Sequence, residues 1–324
     1  MRIKFYLILA IILYQTSLYA NIYKKNDFNY KYLSNYFSGL LSFENQEFEK
    51  SLKFFNSSKK LINKHNQYFR KYLFVLVANN KITYGINNIK ISKNKEYVNF
   101  FESNLLLVLD SIHRKKFKQA SKHLKKLSEY RDLGTYEFII YETLKSYNNL
   151  FISKEFETNE AFGKISEIND AFQKCYLKSR FTQTYFEKLI NSSDDYSRYK
   201  YFYIQNLINN NKISLAIEVS NNINPLEENL LLLQAKNWID KKQFNKFDQN
   251  FSCNEESHLL SEFFFLISNL YSTDEDFVLS EFYLKISNYL NPKFYFNIIL
   301  EVDNLYVNEQ YLKAQKILQK LPDN

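Results

Sequence analysis

The side chains able to do chemistry are few and scattered. In 324 residues there are four histidines and two cysteines. His65, His113, His123 and His258 fall in no HExxH motif and in no Cys/His cluster with metal-ligand spacing, so no metal is expected. With only 4 Gly, the chain offers no glycine-rich loop to cradle a phosphate and no GxSxG elbow to present a nucleophile. Four acidic clusters have the residue types of a general acid/base pair: Asp194-Asp195, Glu227-Glu228, Glu255-Glu256 and Asp274-Glu275-Asp276. Each lies in or beside an expected turn, where a carboxylate caps the following helix and suits its positive end, and capping is the role assigned to them. The basic stretch His113 to Lys126 has the charge to hold phosphate or lipid headgroups, although a solvated turn and helix surface is the favoured reading. No catalytic residue, cofactor or metal is therefore expected, and the chain is not read as an enzyme.

The patterned residues serve packing. A large residue stands three ahead of a mostly small one at Phe48/Ser51, Ile82/Gly85, Phe117/Ala120, Phe181/Thr184, Ile213/Ala216, Phe277/Ser280 and Tyr311/Ala314. The anchors at 48, 82 and 117 are 34 and 35 residues apart, a period that means a solenoid of helical hairpins. The expected helices run Tyr32 to Phe43 with Glu47 to Leu61, Phe69 to Asn79 with Ile82 to Ser92, and Phe101 to Ile112 with Phe117 to Leu127. Register blurs from Ser128 to Asp195: Tyr136 to Leu150 is helical, Phe151 to Ile165 is a degenerate partner, and Phe172 to Ser179 pairs with Phe181 to Ile190. Tyr196 to Asn209 then pairs with Ser214 to Ile223, and Leu226 to Asp240 with Phe244 to Phe251. Leu259 to Tyr271 pairs with Phe277 to Leu290, and Tyr295 to Tyr306 with Gln310 to Leu321. Pro225, Pro292 and Pro322 stop helices at the seams between units.

A hydrophobic fraction of 45% against 24% charged residues allows a continuous core, and the aromatic share of 18% is read as a codon bias toward Phe and Tyr rather than as ligand stacking. Arg2 and Lys4, the apolar run Phe5 to Tyr14 and the small residue Ala20 have the order of a secretory signal, so residues 1–20 are expected to be removed and 21–324 to form the exported solenoid. The alternative is an uncut leader that anchors the chain in the inner membrane, facing the periplasm. Removal of Arg2 and Lys4 lowers the net charge from +8 to +6, a mild excess compatible with acidic partners or an anionic membrane surface. Cys175 and Cys253 lie more than two expected repeats apart. Because packed helices are spaced by about 10 Å while bridged Cα atoms must lie within about 7 Å, the two are expected to stay free and buried.

In the penultimate unit Ser268, Phe277, Ser280, Leu284, Ser287 and Pro292, and in the first unit Gly39, Phe48, Ser51, Phe55 and Ser58, stand where tetratricopeptide repeats carry their small, aromatic and proline signature. The chain resembles that family over nearly all of residues 21–324, and the whole is similar to exported alphaproteobacterial members of it. Ser repeatedly replaces Ala, and the first-helix Trp of the family is replaced by Asn35, Asn104 and Phe264. The resemblance implies an all-α, right-handed superhelical solenoid of antiparallel helix pairs, whose concave groove, lined by first helices, holds an extended peptide or a partner helix. On that alignment Tyr36, Leu40, Phe43, Leu105, Leu109, Ile112, Phe265 and Asn269 line the groove, with core packing as the competing role for each apolar member. The expected function is a non-catalytic interaction scaffold of the cell envelope with a protein or peptide partner. A membrane-associated structural component without a peptide groove is the alternative. Export argues against nucleic acid, and the C-terminal hairpin is a candidate surface for self-association.

Overall fold

A computed structural model describes residues 30–62, 65–130, 135–157, 162–191, 198–224 and 230–319. The expected leader, the acidic pairs Asp194-Asp195 and Glu227-Glu228, and Pro225 and Pro322 lie outside these residues. The described chain is all-helical. It opens with α1 (Tyr30–Glu44) and α2 (Phe48–Ser57), then α3 (Asn66–Ala78) with α4 (Ile82–Ile91) and α5 (Phe101–His113) with α6 (Phe117–Leu127). After α7 (Thr135–Ser153) come α8 (Lys164–Tyr176) with α9 (Thr182–Ile190), and α10 (Tyr199–Asn209) with α11 (Ile213–Asn221). The last part holds α12 (Leu230–Asp240), α13 (Glu256–Thr273) with α14 (Phe277–Leu290), and α15 (Phe296–Val307) with α16 (Tyr311–Leu318).

The hairpin turns share one backbone device. Gln46, Asn80, Lys115, Lys178, Asn211, Lys242, Glu275 and Glu309 all adopt left-handed backbone, with φ between 52° and 60°. At the first of them the Gln46 N–H bonds the Phe43 carbonyl at 2.9 Å and the Glu47 N–H bonds the Ser42 carbonyl at 2.8 Å, the two closing bonds of a Schellman cap. The same pair of bonds recurs at each of the eight turns. The carbonyls left over at the end of the first helix are thereby satisfied and the chain reverses in three residues, so consecutive helices pack antiparallel. The stations 46, 80 and 115, and again 211, 242, 275 and 309, carry the repeat independently of the side chains.

Inside the hairpins the small positions behave as expected at Ser51, Gly85, Ala120, Ala216, Ser280 and Ala314, all buried. Serine stands in for alanine because its hydroxyl finds a backbone acceptor on the facing helix. Ser51 Oγ donates to the Gly39 carbonyl at 2.8 Å, and Ser268 Oγ to the Ser280 carbonyl at 2.7 Å. A Cβ on Gly39 would stand 3.2 Å from the Phe55 ring, which is why a residue without one sits at that crossing.

Three expectations need correction. The pair Phe181/Thr184 is out of register: Phe181 is 49% exposed, Thr184 is exposed, and the residues of α9 turned inward are Thr182, Phe186 and Leu189. No helix spans Phe151 to Ile165; α7 runs on to Ser153, Lys154 takes φ 60°, residues 154–157 are non-helical, and α8 starts at Lys164 rather than Phe172. Finally, Phe244 to Phe251 is a short 3-10 helix, Phe244–Gln249, instead of an α-helix. Its Phe247 occupies the position that should be small and is fully buried against Trp238, with ring centres 5.3 Å apart, so the second helix of that unit cannot approach as the others do.

Candidate functional site

The first helices expected to line a groove are largely covered by other parts of the chain, and α13, itself the first helix of its hairpin, is the most enclosed. Helix α13 has the sequence ESHLLSEFFFLISNLYST, and eleven of its side chains, seven apolar and four polar, are buried around its whole circumference. A helix of that kind belongs inside a core. It packs on its partner α14 and also touches α5 and α15, while α14 reaches α3, where Phe74 and Phe282 stack with ring centres 4.4 Å apart.

Polar contacts fix α13 along its whole length. At its end, Tyr136 of α7 stacks edge-on against Tyr271 at 4.8 Å and donates its hydroxyl to Asp274 at 2.7 Å. At its start, the Tyr176 hydroxyl donates to Glu256 at 2.9 Å, and Lys115 Nζ lies 3.4 Å from the same carboxylate. Burial raises the Glu256 pKa, but a backbone N–H together with Tyr176 and Lys115 outweighs burial and holds it below the usual carboxylate range. At its centre, Glu262 is only 1% exposed. Arg198 meets it with two parallel bonds of 2.8 and 2.7 Å, and the Tyr199 hydroxyl adds a third at 3.1 Å. Burial pushes the Glu262 carboxyl up and Arg198 pulls it back down; the guanidinium in turn lies 4.1 Å over the Phe265 ring.

A disulfide closes the arrangement. Cys175, at the end of α8, is bonded to Cys253, just ahead of α13, with their Cα atoms 5.7 Å apart. The expectation of two free thiols is therefore wrong. It assumed a steady advance of one helix layer after another, whereas the chain turns back and brings the start of α13 beside α8. His258 holds the intervening loop by accepting the Ser252 N–H on Nδ1 at 3.0 Å, and burial lowers its pKa. Beside the disulfide lies a polar cleft of about 340 Å³ that includes Lys178, Arg180, Lys212, Gln205 and Asn206.

The eight residues expected to line the groove divide accordingly. Tyr36, Phe43, Leu105, Leu109, Ile112 and Phe265 are buried in the hydrophobic core, Leu40 is half-buried, and Asn269 alone is exposed. The six buried ones pack against other parts of this chain and present no surface to a partner in this conformation. Among the acidic clusters, Asp276 does cap a helix, accepting the Leu279 N–H at 3.0 Å, whereas Glu256 works as an ion-pair and hydrogen-bond acceptor. The Arg198–Glu262 pair was missed by sequence reasoning. Its signal was present: a glutamate inside the run HLLSEFFFLI can be tolerated only with a buried partner.

Among the described residues no three His, Cys, Asp or Glu side chains are grouped to hold a metal ion, and no helix is long and apolar enough to cross a membrane. Comparison of the chain with protein-family models, with curated proteins and with solved structures returned no match.

Proposed function

We propose that the protein is an exported, non-catalytic scaffold of the cell envelope, built as a degenerate tetratricopeptide-type array that works through its outer faces. The observation that carries this reading is the disulfide that ties α8 to the start of α13. Disulfides persist in oxidising compartments outside the cytosol, which agrees with the secretory order of residues 1–20. Six of the eight expected groove residues are buried within the chain, and α13 packs on α5, α14 and α15, which favours the structural envelope component over the peptide-groove receptor. A right-handed superhelix with an open groove would require α13 to leave its place.

Thiol trapping in intact cells tests the reading. After acid quenching, treatment with a bulky maleimide is expected to leave the envelope-fraction protein unshifted until a reductant is added, and then to shift it by two tags, one each for Cys175 and Cys253. A protein found reduced and in the cytoplasmic fraction would overturn both export and the envelope role.

A further inference from the structure

Ten Lys and Arg stand against four Asp and Glu between Lys90 and Glu129, so this stretch carries six of the chain's eight net positive charges. Two of the four carboxylates are withdrawn from the surface: Glu102 is buried and paired with Arg70, and Asp110 is buried between Lys90 and Arg114. Only Glu96 and Glu129 remain outside. Helix α6, FKQASKHLKKL, has no acid at all. Its Ala120, Leu124 and Leu127 are buried, and Lys118, Lys122 and Lys125, spaced i, i+4, i+7, form one exposed face. None of these three, nor Lys116 or Lys126, reaches a carboxylate among the described residues. Like charges at this spacing repel one another, so a merely solvated face would gain from interspersed acids.

The same outer row also exposes apolar surface. Helix α4, beside α6, leaves Ile91 75% and Tyr84 45% exposed. Between the two helices runs a cleft of about 720 Å³ with Ile89, Val98 and Leu107 in its lining together with three lysines, Lys90, Lys95 and Lys126, and the two exposed carboxylates, Glu96 and Glu129. We propose that this face of α4 and α6 docks the protein on an anionic lipid bilayer. A soluble polyanion would engage the lysines and leave the exposed Ile91 and Tyr84 without a role, while a bilayer offers a plane of negative charge over an apolar layer and satisfies both. The proposal gives the envelope reading a partner, and it is testable without it.

The test is flotation of the full chain with vesicles of phosphatidylcholine alone and of phosphatidylcholine mixed with phosphatidylglycerol. Binding is expected only to the anionic vesicles and is expected to fall steeply with added salt. Because each lysine near such a surface is worth about a factor of five, Lys118→Glu/Lys122→Glu/Lys125→Glu should weaken partition about a hundredfold or more, with the helical signal retained. Lys53→Glu/Lys241→Glu/Lys316→Glu makes the same change of charge elsewhere on the exposed surface and should bind nearly as the parent does. Equal binding to neutral vesicles, equal loss in both triple variants, or retention on polyglutamate without binding to vesicles would each overturn the proposal. Failure here leaves the thiol-trapping result standing, so the two readings are judged separately.

Discussion

At the scale of single residues, the stability of this protein carries two identifiable costs. One is the left-handed backbone at the hairpin turns, where every station is filled by Gln, Asn, Lys or Glu and none by glycine. A side chain in that region costs roughly 1 kcal/mol or more. Glu275 is the worst placed, because its carboxylate is exposed at the negative end of α13. Glu275→Gly is expected to raise stability by about 1 kcal/mol, read as a higher denaturant midpoint at unchanged slope; an unchanged or lower midpoint would refute it. The other cost is the charge at Glu262. Replacing Arg198 by Leu leaves the buried carboxylate alone and should cost about 3 to 5 kcal/mol near neutral pH, whereas Arg198→Leu/Glu262→Leu should be close to neutral. The sign of the pH effect follows from protons bound. Burial raises the folded-state pKa of Glu262 above the ordinary 4.5, and loss of Arg198 raises it further, so the folded variant binds a proton that the unfolded chain has released. Stability of the single variant should therefore recover as pH falls through the raised value toward 4.5, giving a smaller deficit at about pH 5 than at about pH 8. A deficit that does not depend on pH would show that the carboxylate stays ionised without Arg198.

At the scale of elements, the helices were largely legible in the sequence because their ends are set locally. The turn after α5 is written in His113 to Lys116, and α6 was expected at Phe117 to Leu127, where it is found. The misses came where a long-range contact overrides local spacing: the segment of Phe247, whose ring packs on Tyr201 at 5.8 Å and whose carbonyl accepts from Gln205 Nε2, is a 3-10 helix in place of the expected second helix. The disulfide was illegible for the same reason, since Cys175 and Cys253 are separated by 78 positions and nothing in their neighbours announces the approach. It joins α8 to the connection that leads into α13, and its loss should release that connection first. Cys175→Ser/Cys253→Ser is expected to lower stability by about 2 to 5 kcal/mol, the usual range for a closed loop of this size. Hydrogen exchange at Ser252–Leu260 should rise ahead of the rest of the molecule. An unaltered exchange pattern there would mean that Tyr176, Lys115 and His258 hold the start of α13 without the covalent link.

At the scale of the whole molecule, the repeat period carries the neighbours of each helix and not the contacts that close the array. In an open stack of hairpins every contact is between adjacent units, stability is a sum of local terms, and different regions unfold at different midpoints. Here Phe74 and Phe282, 208 positions apart in sequence, stack at 4.4 Å, and Arg198–Glu262, Lys115–Glu256 and Cys175–Cys253 tie separate regions to α13. Of the six buried groove candidates, Tyr36 and Phe43 are covered by Phe55, Tyr68, Phe48 and Phe74 of the first two hairpins, while α5, which carries Leu105, Leu109 and Ile112, packs on α13, which carries Phe265. Closure of this kind makes the hairpins interdependent, and the single tryptophan, Trp238 on α12, offers a local probe to set against the global helical signal. For the oxidised protein, Trp238 fluorescence and far-UV circular dichroism are expected to give coincident unfolding midpoints, as a single cooperative unit requires. Phe282→Ala removes the stacked contact at a cost of about 3 to 5 kcal/mol. Combined with reduction of the disulfide, it should uncouple the ends and split the two curves. If the midpoints already differ in the oxidised parent, the closing contacts do not couple the halves, and α13 is a guest in the groove rather than part of the fold.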